Sequence, residues 1–453
     1  MSKLVIPQLL HGGMFKHLLC DEFEHLGFFL CNIGWSENQP IFLANELILV
    51  DDTDLAEHSQ YGLALRLDCL LEIINRAIRE KKALVEAHGH TLASPPEFSA
   101  SDIAGLREFV PYVTDSLKGL PYAASVWGKN GISGSSWSNG SKKPEELEVT
   151  IVGSILSKNP NKDSALPVPS LYDRQVRAFG PDTQSRIGSL KIGIVGLGGS
   201  GSHIAQQLAY LGARRLILVD PQAIEVTNLN RLVGATAKDI RKSKVAVASR
   251  LIKTISRGAN VQAVHADLRK PAALDLLKSA DVIFGCLDND GARLILNELC
   301  LAYLIPYIDI GTEIYSKEGQ IELVGGRMNL VLPNGPCLHC TGQIDLEEAR
   351  ISLSSEAEFR IAQERGYIKG IEEPSPSVVS LNGIMASLAV TEFLNLVCGV
   401  RPPQPLLVYD MIGEGRGRNA QWVTPQLLNQ NTNCYECGLT GIGDAVDLTR
   451  YYR

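Results

Sequence analysis

LKIGIVGLGGSGSHIAQQLAYLG, residues 190–212, reads as a short apolar strand, a glycine loop and a helix. The loop carries Gly196, Gly198, Gly199 and Gly201, and RRLILVD follows as a second strand that ends on Asp220. Glycines let a backbone approach phosphate oxygens, a helix start offers unpaired N–H groups, and a carboxylate at the second strand end suits ribose hydroxyls. Taken alone, such a loop points to a nicotinamide dehydrogenase as the default. Working outward, SKVAVASRLIKTIS reads as a helix, and VQAVHAD and ADVIFGCLD as further strands. Alternating strands and helices predict an α/β fold with a doubly wound, mostly parallel, Rossmann-like sheet.

The charges near these strand ends change the expectation. EVTNLNRLVG supplies Asn228, Asn230 and Arg231, KSK supplies Lys244, and CLDNDGAR supplies Asp288, Asn289 and Arg293. Clustered Arg, Lys and Asp suit a nucleoside triphosphate with magnesium better than hydride transfer. They would neutralise the triphosphate as its α-phosphorus is attacked, a reaction that gives an acyl adenylate and pyrophosphate. Further on stand Cys337 with Cys340 and Cys434 with Cys437. Four thiolates would close a structural zinc shell, with a redox C-x-x-C as the competing reading.

Upstream, SKNPNKDSALPVPS, residues 157–170, lacks an apolar period and reads as a linker between a domain at 1–156 and one at 171–453. In the first domain LGFFLCNIGW, PIFLANELILV, KALVEAHGH and ELEVTIVGSIL read as strands. LALRLDCLLEIINRAIREKKA and SDIAGLREFVPYVTDSL read as helices. The domain is thus expected to be mixed α+β, with a hairpin in the Gly- and Ser-rich stretch 127–143.

EAHGHTLASPPEFSASD, residues 86–102, sets His88 and His90 two apart on a strand, so both imidazoles project from one face. Asp102 opens the next helix, where the dipole favours a carboxylate. Three ligands and one open position describe a catalytic zinc, whose bound water ionises near neutral pH; Glu24 is the candidate general base. The plainer alternative is two surface histidines beside a Ser-Ala-Ser-Asp helix cap.

The 453 residues exceed one ordinary core, and 45% hydrophobic with 21% charged residues is the composition of a globular chain. A net charge of -7 and a pI near 5.8 argue against nucleic acid or anionic lipid as partner. Ten cysteines in no disulfide-like framework, with neither a signal-length apolar start nor an uninterrupted spanning run, make the cytoplasm the expected compartment.

Glu24 with Gly27, His88 with His90, and Ser99 with Asp102 resemble the JAMM (MPN-plus) metalloisopeptidase pattern, although Thr91 and Cys31 stand where that pattern has Pro and Gly. The resemblance covers roughly the first third of the chain. It implies zinc on His88, His90 and Asp102, Ser99 stabilising an oxyanion, and cleavage after the terminal glycine of a ubiquitin-like protein. Tyr172 to Gln175 (YDRQ), the glycine loop, NLNR, Lys244, CLDN and the paired cysteines resemble the ubiquitin-activating family, including thiamine and molybdopterin sulfur-carrier adenylyltransferases. That resemblance implies Asp220 on ribose, Arg231 and Lys244 on phosphates, Asp288 with magnesium, and Arg174 reaching the active site of a second subunit in a homodimer. Gln222 replaces a second aspartate often found there.

Many activating enzymes carry an acceptor cysteine after the first zinc pair, but residues 341–382 contain none; Ser375 and Ser377 lie where it would fall. Activation would then stop at the adenylate, use a partner's thiol such as that of a conjugating enzyme, or pass to a serine. The resulting expectation is ATP-dependent adenylation of a ubiquitin-like protein's terminal glycine, joined to zinc-dependent processing of the same protein. Activation of a sulfur carrier for cofactor synthesis is the alternative, and a regulatory scaffold with an inactive site is the third.

Overall fold

The computed structural model describes residues 1–58, 62–91, 96–138, 143–158, 169–317, 320–354, 376–412, 421–423, 430–431 and 433–451. The chain divides into two compact units, Met1–Leu166 with Gly441–Ala445, and Pro167–Thr440 with Val446–Arg453.

The first unit is built on strands β1 (Ser2–Pro7), β2 (Leu26–Ser36), β3 (Gln39–Leu49), β6 (Ala83–Gly89), β7 (Tyr122–Gly128), β8 (Gly131–Trp137), β9 (Glu145–Val152) and β10 (Ser157–Lys158). They hydrogen-bond in the order β1-β3-β2-β6-β7-β8-β9-β10, and β1 also pairs with β9 in parallel, so the sheet closes on itself. The mixed α+β domain expected here takes the form of a barrel-like sheet with helices packed on it. Closure depends on Met1–Pro7, which carried no strand expectation; its partner β9 lies some 145 residues away, from Ser2 to Leu147. Between β3 and β6 lie the small pair β4 (Leu55–His58) and β5 (Leu63–Leu65), then helix α2 (Leu67–Glu80). Leu63–Leu65 was expected to begin that helix. The residues instead pair with β4, and extended Arg66 caps the helix start.

Side-chain parity divides the packing of this sheet. On β2, Phe29 and Cys31 join Leu4, Ile6, Phe42 and the Met14 of helix α1 (Gln8–Leu18) in one core. Phe28 and Leu30 point the other way, into a core with Ile73, Ile74 and Ala77 of α2 and Val110 and Val113 of helix α3 (Ala100–Ser116). On β6, Ala83, Val85 and Ala87 belong to the first core and Leu84 to the second. Strand period two then sends Glu86 and His88 to the face that carries α3.

The second unit holds β11 (Lys191–Val195), β12 (Arg215–Val219), β13 (Asn260–Val264), β14 (Val282–Gly285) and β15 (Tyr307–Lys317). These five run parallel in the order β13-β12-β11-β14-β15. Antiparallel β16 (Gln320–Val331), β17 (Leu406–Asp410) and β18 (Gln421–Val423) extend the sheet. In a doubly wound sheet the order reverses beside the first strand, and ligands bind at the carboxyl ends there, which here means the ends of β11 and β14. The crossover helices are α6 (Gly199–Leu211), α7 (Lys244–Ile255), α8 (Pro271–Leu277) and α9 (Asp290–Ala302). Before β11 lie α4 (Asp173–Phe179) and α5 (Pro181–Ser189), and after β16 lie α10 (Leu346–Leu353) and α11 (Val379–Cys398). By length and composition α11 could cross a membrane, but Met385, Ala389, Phe393 and Leu396 are fully buried inside the unit.

Candidate functional site

Gly196 leaves β11 with φ +86°, a conformation that suits glycine. A Cβ there would stand 2.3 Å from the Cys286 carbonyl oxygen, so the loop passes tightly against the end of β14. At Gly201 a Cβ would meet the Gly196 oxygen at 1.9 Å, because α6 starts directly over the loop. Gly201→Ala is therefore expected to destabilise the unit by about 1–3 kcal/mol and to weaken ATP binding, measured by thermal unfolding with and without ATP. The start of α6, capped by the backbone of Gly198 without a side-chain hydrogen bond, leaves N–H groups available to an anion.

Asp220, at the end of β12, is buried, and its two oxygens accept hydrogen bonds from the Leu197 and Gln222 backbone N–H groups, each at 2.7 Å. Each oxygen keeps a lone pair for a ribose hydroxyl. Lys244 opens α7 and is 7% exposed; its Nζ donates to Gln222 Oε1 at 2.5 Å. Gln222, which replaces the aspartate of the family pattern, thus meets the ammonium with a neutral amide. Among the described residues no carboxylate pairs with Lys244, and a buried cation held only by an amide favours an anionic ligand.

The other predicted residues divide. Arg231 lies in the turn after β12 and donates to the Thr227 carbonyl at 2.6 Å and to Asn230 Oδ1 at 3.1 Å. Asn228 Oδ1 accepts from the Glu225 N–H at 3.1 Å, so both asparagines shape this turn. Asp288 is exposed after β14, and Asn289 caps α9 through the Ala292 N–H at 2.8 Å. Arg293, expected among the phosphate ligands, turns inward instead. It donates to Asp290 at 2.9 Å and to the Leu287 carbonyl at 2.8 Å, and its Nε lies 3.5 Å from buried Asp309. Its place in the first turn of α9, three residues after Asp290, gives it these local acceptors. Arg174 is exposed on α4.

The sequence reading missed Asn382 of α11. Its Oδ1 accepts from Ser200 at 3.3 Å and from Thr312 at 3.4 Å, and its Nδ2 donates to Ser377 Oγ at 3.0 Å. A Cβ on Gly199 would lie 2.1 Å from that Nδ2. No local signal in NGIMAS reveals a contact with a loop some 180 residues upstream. Ser377 therefore stands one side chain from the glycine loop, whereas Ser375 lies outside the described residues.

Cys337, Cys340, Cys434 and Cys437 place their sulfurs within 4.8 Å of one another, with Cys337–Cys434 at 3.6 Å and Cys340–Cys437 at 3.5 Å. A tetrahedral zinc with bonds near 2.3 Å needs sulfurs about 3.8 Å apart, so the four fit a closed structural shell. Burial pushes the Cys337 thiol up to about 12, a cost that a bound cation removes by holding the thiolate.

In the first unit, His88, His90 and Asp102 also bring their ligand atoms within 4.8 Å of one another. Asp102 Oδ2 lies 3.5 Å from His88 Nε2 and 3.3 Å from His90 Nε2. Zinc with N and O bonds of about 2.0–2.1 Å requires edges near 3.3 Å. His88 Nε2 is buried without a hydrogen-bond partner, as a ligand atom awaiting a cation would be. Glu24 Oε1 lies 3.5 Å from His90 Nε2, and burial raises its pKa above the ordinary carboxylate value. Ser99 caps α3: its Oγ accepts from the Asp102 N–H at 3.1 Å, and its own N–H donates to Asp102 Oδ2 at 2.7 Å. The capping reading of this segment and the ligand reading thus coexist in one carboxylate.

A glycine loop at the switch point, a buried carboxylate for ribose and a buried, unneutralised lysine define a nucleotide-binding α/β site. Residues 172–436 match the ThiF family model, and the chain belongs to that family. It is 30% identical over 161 residues to the SAMP-activating enzyme E1 of Haloferax volcanii, spanning 36% of this chain and 56% of that enzyme. Over 271 residues it is 27% identical to the sulfur carrier protein adenylyltransferase of Thermus thermophilus, which covers 59% of this chain and 90% of the relative. The chain thus spans little more than half the length of the archaeal relative. Among solved structures, Escherichia coli MccB with ATP aligns at a TM-score of 0.45 and 20% identity, covering 60% of this chain and 75% of that one. The matched family region lies wholly after residue 171.

Proposed function

We propose that the second unit adenylates the C-terminal glycine of a ubiquitin-like protein with ATP and magnesium. The observation that carries this is Lys244, a buried ammonium whose Nζ meets, among the described residues, only the Gln222 amide. The carrier's terminal carboxylate forms a bond to the α-phosphorus, the bond to the β-phosphate oxygen breaks, and pyrophosphate leaves. In this reading Asp220 holds the ribose, Arg231 and Lys244 neutralise phosphate oxygens, and the Gly198–Gly201 amides cradle them. Asp288, exposed after β14, is proposed to hold magnesium, which when bound would offset charge on the leaving pyrophosphate. Arg174 is proposed to complete the site of a second copy in a homodimer, and the cytoplasm is the proposed location.

The first unit is proposed to process or remove the same carrier as a zinc isopeptidase of the JAMM type. Zinc, when bound by His88, His90 and Asp102, would supply an acidified water. Glu24 takes a proton, and the Ser99 hydroxyl donates to the developing oxyanion. The reading predicts carrier-dependent exchange of labelled pyrophosphate into ATP, together with cleavage of a carrier fusion that brief chelation stops first. Absence of exchange with any glycine-terminated carrier would overturn the first half.

The named relatives include a sulfur carrier adenylyltransferase, which favours a second reading in which the carrier becomes a thiocarboxylate. Mass spectrometry of the carrier's terminus distinguishes it from a protein adduct. For the acceptor, Ser377 is proposed because its Oγ sits one hydrogen bond from Asn382 beside Ser200. A carrier adduct that resists reduction by thiols and vanishes in Ser377→Ala is expected. An unchanged thiol-resistant adduct in that variant leaves Ser375 as the acceptor, whereas an adduct that thiols cleave points to a partner's thiol.

A further inference from the structure

The loop between α1 and β2 gathers a second set of ligand-type side chains that the isopeptidase reading does not use. Cys20 Sγ, Asp21 Oδ1 and His25 Nε2 lie within 4.8 Å of one another, with Sγ at 3.2 Å and Oδ1 at 3.0 Å from Nε2. His25 is 4% exposed, while Cys20 is exposed and Asp21 about half exposed. On the far side of the ring, Asp52 Oδ1 stands 3.3 Å from Nδ1. A carboxylate this close to Nδ1 can serve as the outer partner of a metal-binding histidine that turns its Nε2 lone pair forward. That lone pair then faces a thiol and a carboxylate, and a single proton on Nε2 could satisfy only one of the two.

We propose that Cys20, Asp21 and His25 form a divalent-metal site in the first unit, separate from His88, His90 and Asp102, with Asp52 as its outer carboxylate. The donor set is mixed sulfur, nitrogen and oxygen, which selects zinc over magnesium or calcium. One thiolate and one carboxylate balance a dication, so the charge closes without Asp52. Tetrahedral zinc requires S–N and N–O edges of about 3.6 and 3.3 Å, wider by about 0.3–0.4 Å than the 3.2 and 3.0 Å present. Cys20 and Asp21, on an exposed loop, can open by that amount through their rotamers. His17 does not join the set, although its ring lies 5.5 Å from that of His25, because its Nε2 contacts the Leu26 carbonyl oxygen at 2.9 Å.

A Cys–His–Asp nucleophile triad is the rival reading of the same residues, with the thiol 3.2 Å from the imidazole and Asp52 behind it. It is disfavoured because Asp21 Oδ1 also stands at Nε2, 3.0 Å away, so the thiol shares that nitrogen with a carboxylate, an arrangement that suits two ligands of one cation better than a thiol paired with its base. The metal site also has a structural consequence. Its three ligands bracket Glu24, and a cation there would fix the loop that presents Glu24 to His90. That consequence rests on the isopeptidase reading; the site itself does not.

The test is the zinc content of the full chain, loaded with zinc, freed of loosely bound metal and measured by elemental mass spectrometry. Cys20→Ala, at an exposed position, is expected to remain folded and to carry about one zinc per chain fewer than the unsubstituted protein. Adding His88→Gln should remove about one more, since the two centres share no ligand. Full zinc in Cys20→Ala with loss only in His88→Gln would overturn this proposal and leave the isopeptidase centre standing. Loss in Cys20→Ala with none in His88→Gln would do the reverse. In the unsubstituted chain the Cys20 thiol is expected to resist iodoacetamide until chelator is added. Rapid alkylation without chelator, located by peptide mass, would favour the nucleophile triad and also overturn the site.

Discussion

Replacing Lys244 with methionine is expected to lower carrier-dependent pyrophosphate exchange by about 10²–10³-fold while leaving the protein folded. Lys244 is buried, and among the described residues its Nζ is engaged by Gln222 Oε1 alone. Losing that hydrogen bond costs about 1 kcal/mol, and methionine keeps most of the apolar stem that packs at the start of α7. The unbound protein also ceases to bury a cation, which offsets part of the cost. In the proposed reaction, by contrast, charge on the phosphate oxygens would lose a fixed counter-ion when the carboxylate attacks. The two effects separate in measurement: the melting temperature without ATP should hardly move, whereas its rise on adding ATP should shrink. Undiminished exchange in Lys244→Met would remove the lysine from the reaction and, with it, the main support for adenylation. Gln222→Asp offers a complementary arm. A carboxylate at that position would neutralise Lys244 before nucleotide arrives, so weaker ATP binding is expected, measured by titration calorimetry.

The parallel half of the second unit was legible because its signals are local. Apolar runs such as KIGIV and RLILV, separated by helical stretches, dictate buried parallel strands, and the glycine spacing places the loop at the first strand end. The antiparallel extension was not read. Strands β15 and β16 mix exposed charges with apolar residues, and their identity lies in pairing with each other and with β17. For the same reason Asn382 went unnoticed: it acquires meaning from Ser200 and Thr312, which are distant in sequence. Asp309 is fully buried between Tyr307, whose OH donates to it at 2.9 Å, and Arg293. That arrangement explains why Arg293, legible as a charge near a strand end, faces the interior. In the first unit the individual strands were readable from alternation, but barrel closure was not, because a parallel pairing of Ser2–Pro7 with Leu147–Val152 leaves no local trace. The histidine pair was legible through strand parity, which sends His88 to the α3 face, and Asp102 through the cap chemistry of Ser99. The Cys20–His25 loop has no regular period, and its side chains converge only through the turn between α1 and β2.

Asp102→Asn is expected to abolish zinc-dependent cleavage, by on the order of 10³-fold or more, without disturbing exchange in the other unit. Asp102 performs two tasks in one position: Oδ2 faces both imidazoles and also accepts the Ser99 N–H. Alanine would remove both, so a fall in activity could reflect an unravelled helix start, worth about 0.5–2 kcal/mol. Asparagine separates them. Its amide oxygen can still accept the Ser99 N–H, so stability should stay within about 1 kcal/mol, yet a neutral amide is a far poorer zinc ligand beside two histidines. Ser99→Ala runs the other way, because it removes the hydroxyl that accepts the Asp102 N–H but leaves the carboxylate in place. It should lower stability by a comparable increment and retain bound zinc, with cleavage reduced only so far as the hydroxyl serves the oxyanion. If Asp102→Asn cleaves a carrier fusion as fast as the unsubstituted chain, the two histidines and their carboxylate are a polar patch against α3, whatever the glycine loop does with ATP. If it loses both zinc and cleavage at an unchanged melting temperature, Asp102 acts through a metal rather than through the helix it caps.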